Sequence, residues 1–341
     1  MESYTLGLFA NMYPAVAGDY RGIFIQRMVH KLESKGVLVK KAVKREPSLW
    51  GYIPFYAESV HLSFDPAIDI FQAHYIPHSS AIPALFKQKK PLVLKFHGDD
   101  GRVYPFANKL NRLITRSMIK RVDHIIATSK EIRERLIELG ASPDSVTAIS
   151  SGVDTHCFKP TISETSKKLL NLPNDMPLFL YVGRIHPWKG IYEIISAAHA
   201  HPDSLFVFAG PGNIPPHPDN CRFIGELSPE KIPALINAAD VALLPSYTEG
   251  ISNFIMESLS CGIPVIATNV GGNPEVIQHE KTGLLIPVKD SLALSKAIFW
   301  MNDHPDERKV MGKLGRVEMI THYDDDLLIN RLMGIHQRLL Q

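Results

Sequence analysis

The sequence of 341 residues lacks any apolar run near the roughly 20 residues that a helix needs to cross a bilayer. It has only three cysteines, Cys157, Cys221 and Cys261, far apart and odd in number. This excludes a disulfide framework and favours reduced thiols in a cytoplasmic protein. The opening residues, MESYTLGLFANMYPA, lack a basic segment followed by an apolar core, so we expect no signal peptide.

Net charge is also small, at +2, but it is unevenly distributed. Residues 1–160 hold 22 Lys and Arg against 15 Asp and Glu, whereas residues 161–341 hold 15 against 20. The basic first half indicates an anionic partner: nucleic acid, an anionic membrane surface or a lipid-linked acceptor. No aromatic platform or known DNA-binding motif accompanies the basic residues, which disfavours nucleic acid.

The length suits two domains, and short apolar runs alternate with helical patterns throughout. This alternation predicts an α/β protein with two doubly wound parallel sheets. Strands are predicted at Tyr4–Ala10, Val37–Val43, Ile68–Ala73, Leu92–Phe96, His124–Thr128, Val146–Ile149, Leu178–Val182, Leu205–Ala209, Cys221–Ile224, Val241–Leu244, Pro264–Thr268 and Gly283–Ile286. The polar stretch Asp154–Asn174 is interpreted as the linker. Ligands of such sheets bind beyond the carboxyl ends of the strands.

One stretch, SYTEGISNFIMESLSCGIPVIATNVGGNPEVI, carries two glutamates, Glu249 and Glu257, with seven residues between them. Gly250 follows the first glutamate, and a helix is predicted from Asn253 to Ser260. A glycine-rich turn that opens a helix presents free backbone N–H groups to an anion. The two carboxylates can accept hydrogen bonds from hydroxyls beside it. A phosphate flanked by hydroxyls describes a sugar nucleotide.

Two cations follow the first predicted strand of the second half. Arg184 comes directly after Gly183, and Lys189 follows before the next helix. The planar fork of Arg and the point charge of Lys together suit a diphosphate. The alternative is a pair of solvated surface charges.

The Gly-Arg…Lys-Gly segment and the Glu-x7-Glu helix together resemble the retaining glycosyltransferases of family 4, which have the GT-B architecture. The resemblance implies two Rossmann-like doubly wound domains that face a central cleft. Residues 1–155 would form the acceptor-side domain and residues 156–321 the nucleotide-sugar domain. A final helix, at about 322–341, would cross back onto the first domain.

The resemblance also implies roles for individual residues. Arg184 and Lys189 would contact the donor diphosphate, Glu249 would lie beside the transferred sugar, and Glu257 would bind the ribose hydroxyls. The donor-binding set is Gly18, Gly183, Arg184, Lys189, Glu249, Gly250, Ile251, Ser252, Asn253 and Glu257. The catalytic set is Glu249, His97, Arg184 and Lys189. Ile251 and Ser252 depart from the commoner EGFGN form, but serine stays small, so phosphate binding is still expected.

His97 ends the predicted strand LVLKF, where the family has a histidine near the donor sugar. The alternative is a structural histidine. Asp99 beside it is interpreted as a loop or N-cap residue, with contact to the acceptor as the alternative. Gly18 stands where family members often have two glycines near the donor phosphates, although a purely conformational turn is the alternative. The GIFIQR continuation resembles family members that build bacterial cell-surface polysaccharides.

The predicted function is therefore retaining transfer of a hexosyl group from a UDP- or GDP-sugar to a glycan or lipid-linked acceptor. No metal ion or cofactor is expected. The alternatives are a sugar-nucleotide epimerase or glycoside phosphorylase of the same fold, or a non-catalytic sugar-nucleotide-binding partner. A cytoplasmic location is expected, with peripheral contact to anionic membrane through the basic first half. Within the helix predicted at Pro105–Arg121, the basic segment Lys109–Arg121 suits that contact, and an ordinary surface helix is the alternative.

Two further patterns suggest metals but are better explained otherwise. The three aspartates Asp324–Asp326 precede a helix, where capping and the helix dipole account for them. His74 and His78 have helical zinc spacing, but Pro77 lies between them.

Overall fold

A computed structural model of the protein describes residues 3–15, 21–46 and 48–341. They form two compact units. The first covers Met1–Ser151 and Asp326–Gln341, and the second covers Gly152–Asp325. The domain boundaries at 155/156 and 321/322 stay predictions.

The first unit is built on six parallel strands: β1 (Thr5–Ala10), β2 (Leu38–Val43), β3 (Ile70–His74), β4 (Leu92–Phe96), β5 (His124–Ala127) and β6 (Val146–Ala148). Their order in the sheet is β2-β1-β3-β4-β5-β6. Alternate side chains of β4 enter different apolar clusters, Leu92 and Leu94 one and Val93 the other. The strand period of two therefore buries both faces of the sheet, as parallel sheets require.

Helices cover this sheet: α1 (Ile23–Ser34), α2 (Tyr52–Ser63), α3 (Ala81–Phe86), α4 (Asp99–Arg102), α5 (Tyr104–Ala107), α6 (Lys109–Ile119), α7 (Lys130–Glu138) and, at the end of the chain, α15 (Asp325–Leu340). The prediction of one helix over Pro105–Arg121 is wrong. The chain breaks at Asn108, whose side chain accepts a hydrogen bond from the Asn111 N–H and caps α6. Asp326, at the start of α15, pairs with Lys31 at 2.8 Å.

The second unit repeats the plan with β7 (Leu178–Val182), β8 (Leu205–Ala209), β9 (Cys221–Gly225), β10 (Val241–Leu244), β11 (Val265–Thr268) and β12 (Gly283–Ile286). Their order is β12-β11-β10-β7-β8-β9. The helices are α8 (Ser163–Leu169), α9 (Ile191–Ala200), α10 (Ile232–Ala238), α11 (Asn253–Ser260), α12 (Asn273–Val276), α13 (Ser291–Asp303) and α14 (Pro305–Glu318). One continuous apolar cluster fills this unit.

The segment interpreted as a linker, Asp154–Asn174, is packed into the second unit instead. It contains α8, and Phe158 within it is buried in the core. The guanidinium of Arg316 donates to the Phe158 carbonyl at 2.7 Å and to the Thr155 carbonyl at 2.8 Å. A polar composition was a poor guide here because the anchoring partner lies far along the chain.

Each sheet has a switch point where successive strands begin to add on the other side. In the second unit this point lies between β7 and β10, and in the first between β1 and β3. Ligands of doubly wound sheets bind at such points, beyond the strand ends. Among the described residues, no helix is both long and apolar enough to cross a membrane.

Candidate functional site

The loop after β7 is shaped by glycines that approach the loop after β8. The N–H of Gly183 donates to the Ala209 carbonyl at 2.9 Å. Gly210 has a φ of +135°, and a Cβ there would lie 2.1 Å from the Gly183 carbonyl oxygen. Only glycine permits this approach of two backbones. It fixes the start of the loop that carries Arg184.

Gly190 ties the end of the same loop to the loop after β10, across the switch point. Its φ is +73°, and a Cβ there would lie 2.2 Å from the Pro245 carbonyl oxygen. The Tyr247 N–H donates to the Trp188 carbonyl at 2.8 Å. Lys189, between these two anchors, is therefore held beside the chain that follows Tyr247.

Lys189 and Glu249 meet as a result. The Lys189 Nζ lies 2.5 Å from Glu249 Oε1, with side chains 34% and 11% exposed. The Arg184 side chain, from the same loop as Lys189, is exposed and has no ion-pair partner in the described part of the chain. The switch point thus combines a half-buried ion pair with a second cation open to solvent.

Helix α11 begins directly after Gly250, Ile251 and Ser252. The Gly272 N–H, from the loop after β11, donates to the Gly250 carbonyl at 3.0 Å. A Cβ at Gly272 would lie 2.4 Å from Ile251 Cγ1, so this contact also requires glycine. Ser252 occupies the N-cap position, yet its side chain accepts no hydrogen bond from the first turn. The first N–H groups, from Asn253 onward, can therefore meet an anion.

Glu257 lies on α11, one turn beyond Asn253, and is half-buried. Its carboxylate is close to the Cys261 thiol: burial and then the Glu257 charge raise the pKa of Cys261 to about 12. The structure thus brings Gly183, Lys189, Glu249 and the start of α11 together at one edge of the second unit.

His97 belongs to the first unit, just after β4. Its N–H and that of Gly98 both donate to Asp100 Oδ1, at 2.9 and 2.8 Å. Burial raises the pKa of Asp100 to about 6, although these two backbone hydrogen bonds oppose the shift. The Thr128 hydroxyl donates a hydrogen bond to the His97 carbonyl at 3.0 Å. Asp99 is exposed, and Gly18 lies outside the described residues.

Sequence reasoning missed the surroundings of His97. His74 is not a zinc ligand paired with His78: its Nδ1 lies 2.9 Å from His97 Nε2, whereas His78 Nδ1 lies 3.0 Å from the Tyr56 hydroxyl. It also missed Trp188, which is 61% exposed beside Lys189. The sequence signal that could have found it is a tryptophan between Arg184 and Lys189, in the loop that follows a predicted strand.

The described residues define a two-unit α/β protein with two doubly wound parallel sheets, and one switch point carries an ion pair, an exposed cation and an uncapped helix start. The model of glycosyl transferases group 1 matches residues 162–318, and the model of glycosyltransferase family 4 matches residues 8–156. The chain belongs to this group 1 and family 4 type of glycosyltransferase, with the GT-B fold.

The sequence relatives agree with that family. TuaC of Bacillus subtilis strain 168, provisionally named a teichuronic acid biosynthesis glycosyltransferase, is 30% identical over 67% of this chain and 60% of its own. The D-inositol 3-phosphate glycosyltransferase of Kribbella flavida is 27% identical over 72% and 65%. The chain thus spans less than two thirds of these relatives.

Two solved structures share the fold. Sucrose-phosphate synthase from Thermosynechococcus elongatus has a TM-score of 0.83 and 20% identity, over 98% of this chain and 99% of that one. Anabaena HepE in complex with UDP has a TM-score of 0.78 and 19% identity, over 98% and 100%.

Proposed function

We propose that this protein transfers a hexosyl group, with retention of configuration, from a nucleotide sugar to a glycan or lipid-linked acceptor of the cell surface. The observation that carries the proposal is the Lys189–Glu249 pair beside the uncapped start of α11. Membership of the glycosyltransferase family and the UDP bound to the similar HepE structure support it. TuaC supports a role in cell-surface polysaccharide.

The charges suggest how each group serves the donor. Arg184, Lys189 and the N–H groups that open α11 would stabilise the negative charge of the diphosphate as it leaves. Glu249 would accept a hydrogen bond from the transferred sugar, and Glu257 would bind the ribose hydroxyls. His97 is proposed as a further substrate contact.

The transfer step balances without a cofactor. The acceptor hydroxyl oxygen forms a bond to the anomeric carbon on the face from which the diphosphate departs. The bond from that carbon to the phosphate oxygen breaks with its electron pair. The leaving phosphate oxygen takes the hydroxyl proton. No group of the protein has to exchange a proton with solvent during this step.

A donor screen tests the proposal. We expect UDP- or GDP-sugars to raise the melting temperature of the wild type but not of the Arg184→Ala, Lys189→Ala double variant. A Lys231→Ala, Lys313→Ala double variant removes two exposed positive charges elsewhere in the second unit and serves as the matched control. Full transfer activity in the double variant would refute the donor site.

The same assay separates the alternatives. With donor alone, an epimerase would convert the sugar, and with inorganic phosphate a phosphorylase would release a sugar phosphate. A non-catalytic partner would be stabilised by the donor and turn nothing over. Transfer only on addition of acceptor supports our proposal.

We also propose peripheral contact with an anionic membrane. Four apolar side chains of the α4–α6 segment are exposed by 41–65%: Val103, Phe106, Leu110 and Leu113. Exposed basic side chains accompany them, at Lys109, Arg112, Lys120 and Arg121. Apolar residues rimmed by cations suit an anionic lipid surface.

Flotation with vesicles tests this contact. We expect binding to anionic but not to zwitterionic vesicles, and weaker binding at high salt. Leu110→Ser with Leu113→Ser should abolish it. Leu292→Ser with Phe299→Ser removes equally exposed apolar residues from the second unit and should not. Equal binding by both pairs would contradict the proposal.

A further inference from the structure

Five side chains of the first unit form an unbroken chain of hydrogen bonds. The Tyr4 hydroxyl lies 2.8 Å from His336 Nδ1, and His336 Nε2 lies 2.9 Å from Gln72 Oε1. Gln72 Nε2 lies 2.7 Å from His74 Nε2, and His74 Nδ1 lies 2.9 Å from His97 Nε2. We call this series the histidine chain.

Tyr4 determines in which direction the hydrogen bonds of the histidine chain are donated. Burial raises the pKa of Tyr4, so the phenol keeps its proton. Within the described part of the molecule, His336 Nδ1 is the hydrogen-bond partner of that hydroxyl. A buried O–H group without an acceptor would be costly, so Tyr4 donates and His336 Nδ1 is bare.

The side-chain amide of Gln72 continues the same direction of donation, since it accepts from His336 and donates to His74. With Nδ1 bare, the neutral His336 ring has its proton on Nε2 and donates to Gln72 Oε1. Both N–H groups of the amide are then used, one on His74 Nε2 and one on Met28 Sδ at 3.5 Å. The reversed amide would leave one of them without an acceptor. Two independent observations thus select the same orientation.

His97 lies at the end of the histidine chain, and the hydrogen bonds along the chain allow only one of its tautomers. Since His74 Nε2 accepts, its proton is on Nδ1 and points to His97 Nε2. The His97 proton must therefore be on Nδ1, for which the described residues provide no hydrogen-bond partner. Burial lowers the pKa of His74 and His97 well below the ordinary value and that of His336 to about 3, so all three rings are neutral.

We infer that the histidine chain positions His97 as a hydrogen-bond donor. It holds the proton on Nδ1, so this nitrogen meets a substrate oxygen as a donor and cannot act there as a base. The inference deepens the proposed function, since it assumes that His97 contacts the substrate of glycosyl transfer. Tyr4, His336, Gln72 and His74 are then positioning residues.

Nitrogen NMR of the histidine rings tests the tautomers directly. Protonated and bare ring nitrogens resonate far apart, and protein labelled with 15N-histidine can be assigned by single-histidine variants. We expect His74 and His97 to carry the proton on Nδ1 and His336 to carry it on Nε2. A wild-type His97 with its proton on Nε2 would overturn the inference, whatever the protein catalyses.

Gln72→Glu tests the relay from a distance. A carboxylate accepts from both neighbours, so the proton of His74 moves to Nε2, and that of His97 moves to Nε2 as well. We expect this reversal in the spectrum and a fall in kcat of about 100-fold, because a donor facing the substrate is lost. His78→Gln is the control: His78 is in the same unit but bonds the Tyr56 hydroxyl. It should change neither readout.

A matched pair at His97 links the tautomer to the reaction. Asn places an amide donor near the position of Nδ1, whereas Asp offers only an acceptor. We expect His97→Asn to retain at least about tenfold more activity than His97→Asp. Equal loss in both variants, with the predicted tautomer in the wild type, would show that the donor has no role. Absence of transfer in the wild type would instead refute the proposed function and leave the tautomer result standing.

Discussion

The two units share a sheet plan but differ in what they bury. The second unit has one continuous apolar core, and its buried polar residues are mostly hydroxyl and amide side chains such as Ser258 and Asn237. The first unit has separate apolar clusters and buries more ionisable side chains than the second, which buries Lys167 and Glu193. Those of the first unit include His74, Lys95, Asp100, His124 and His336.

The two units therefore hold their ionisable groups in different places. The second unit holds the charged pair of its candidate site, Lys189 and Glu249, in loops at the strand ends, positioned by glycine contacts. The first unit keeps its imidazoles inside, neutral and mutually hydrogen-bonded. Burial of a charge is costly, so the interior groups set a limit on the pH that the first unit tolerates.

Acid should therefore destabilise the first unit before the second. The folded pKa values of His74, His97 and His336 are lowered, so below about pH 6.5 the unfolded state binds more protons than the folded state. Stability then falls as pH falls. The pKa of Asp100 is raised to about 6, so below that pH this carboxyl binds a proton more readily in the folded state. It offsets the contribution of one of the three histidines. The histidines together outweigh this opposing contribution, so we expect a net loss of stability below pH 6.

Hydrogen exchange at a series of pH values measures this. We expect protection of β3 to fall between pH 6.5 and 4.5 while that of β8 changes little. A simultaneous loss in both strands would show that acid destabilises the two units alike. Greater protection of β3 in acid would contradict the predicted direction of the effect.

Removal of the loop cations should affect the reaction and not the fold. We expect Arg184→Ala or Lys189→Ala to lower kcat/KM by about 100- to 1,000-fold, since each removes positive charge from the leaving diphosphate. The melting temperature should shift little for Arg184→Ala, whose side chain is exposed, and more for Lys189→Ala, which takes the lysine away from the mostly buried Glu249 carboxylate. Steady-state kinetics beside calorimetry measures both, with Lys231→Ala as the control. A large loss of stability with normal kinetics would contradict this assignment.

The sequence predicted the strands well because their signals are local. Buried parallel strands appear as short apolar runs such as LVLKF, and the observed β4 has the predicted bounds. The segment from Glu249 to Glu257 also lies within one turn and helix. The roles assigned to these residues stay predictions.

The sequence could not predict what joins distant residues. The histidine chain connects positions 4, 72, 74, 97 and 336, and no local pattern marks it. Helix α2 was missed because its aromatic residues and Pro54 weaken the helical pattern, although proline is tolerated in a first turn. The Asn108 break was missed because a capping side chain resembles any polar helix residue.

Gly190→Ala should test how tightly the second unit holds its loops. The Cβ would meet the Pro245 carbonyl, and the φ of +73° adds strain, so we expect a loss of about 2 kcal/mol or more. Gly225 has the same φ with open space around it, so Gly225→Ala isolates the strain alone. Denaturant unfolding of both variants measures the difference. Equal losses would show that the contact with Pro245 is relaxed at no cost.

The smallest effect should come from chelation. If Arg184, Lys189 and the start of α11 supply the positive charge for the diphosphate, a divalent ion has little left to neutralise. We expect kcat to change by less than about twofold in excess chelator. Loss of activity that added Mg²⁺ restores would mean that the loops of the second unit supply too little charge by themselves. A metal ion would then supply part of the positive charge at the diphosphate. In that case the activity of Lys189→Ala should depend more strongly on Mg²⁺ than that of the wild type.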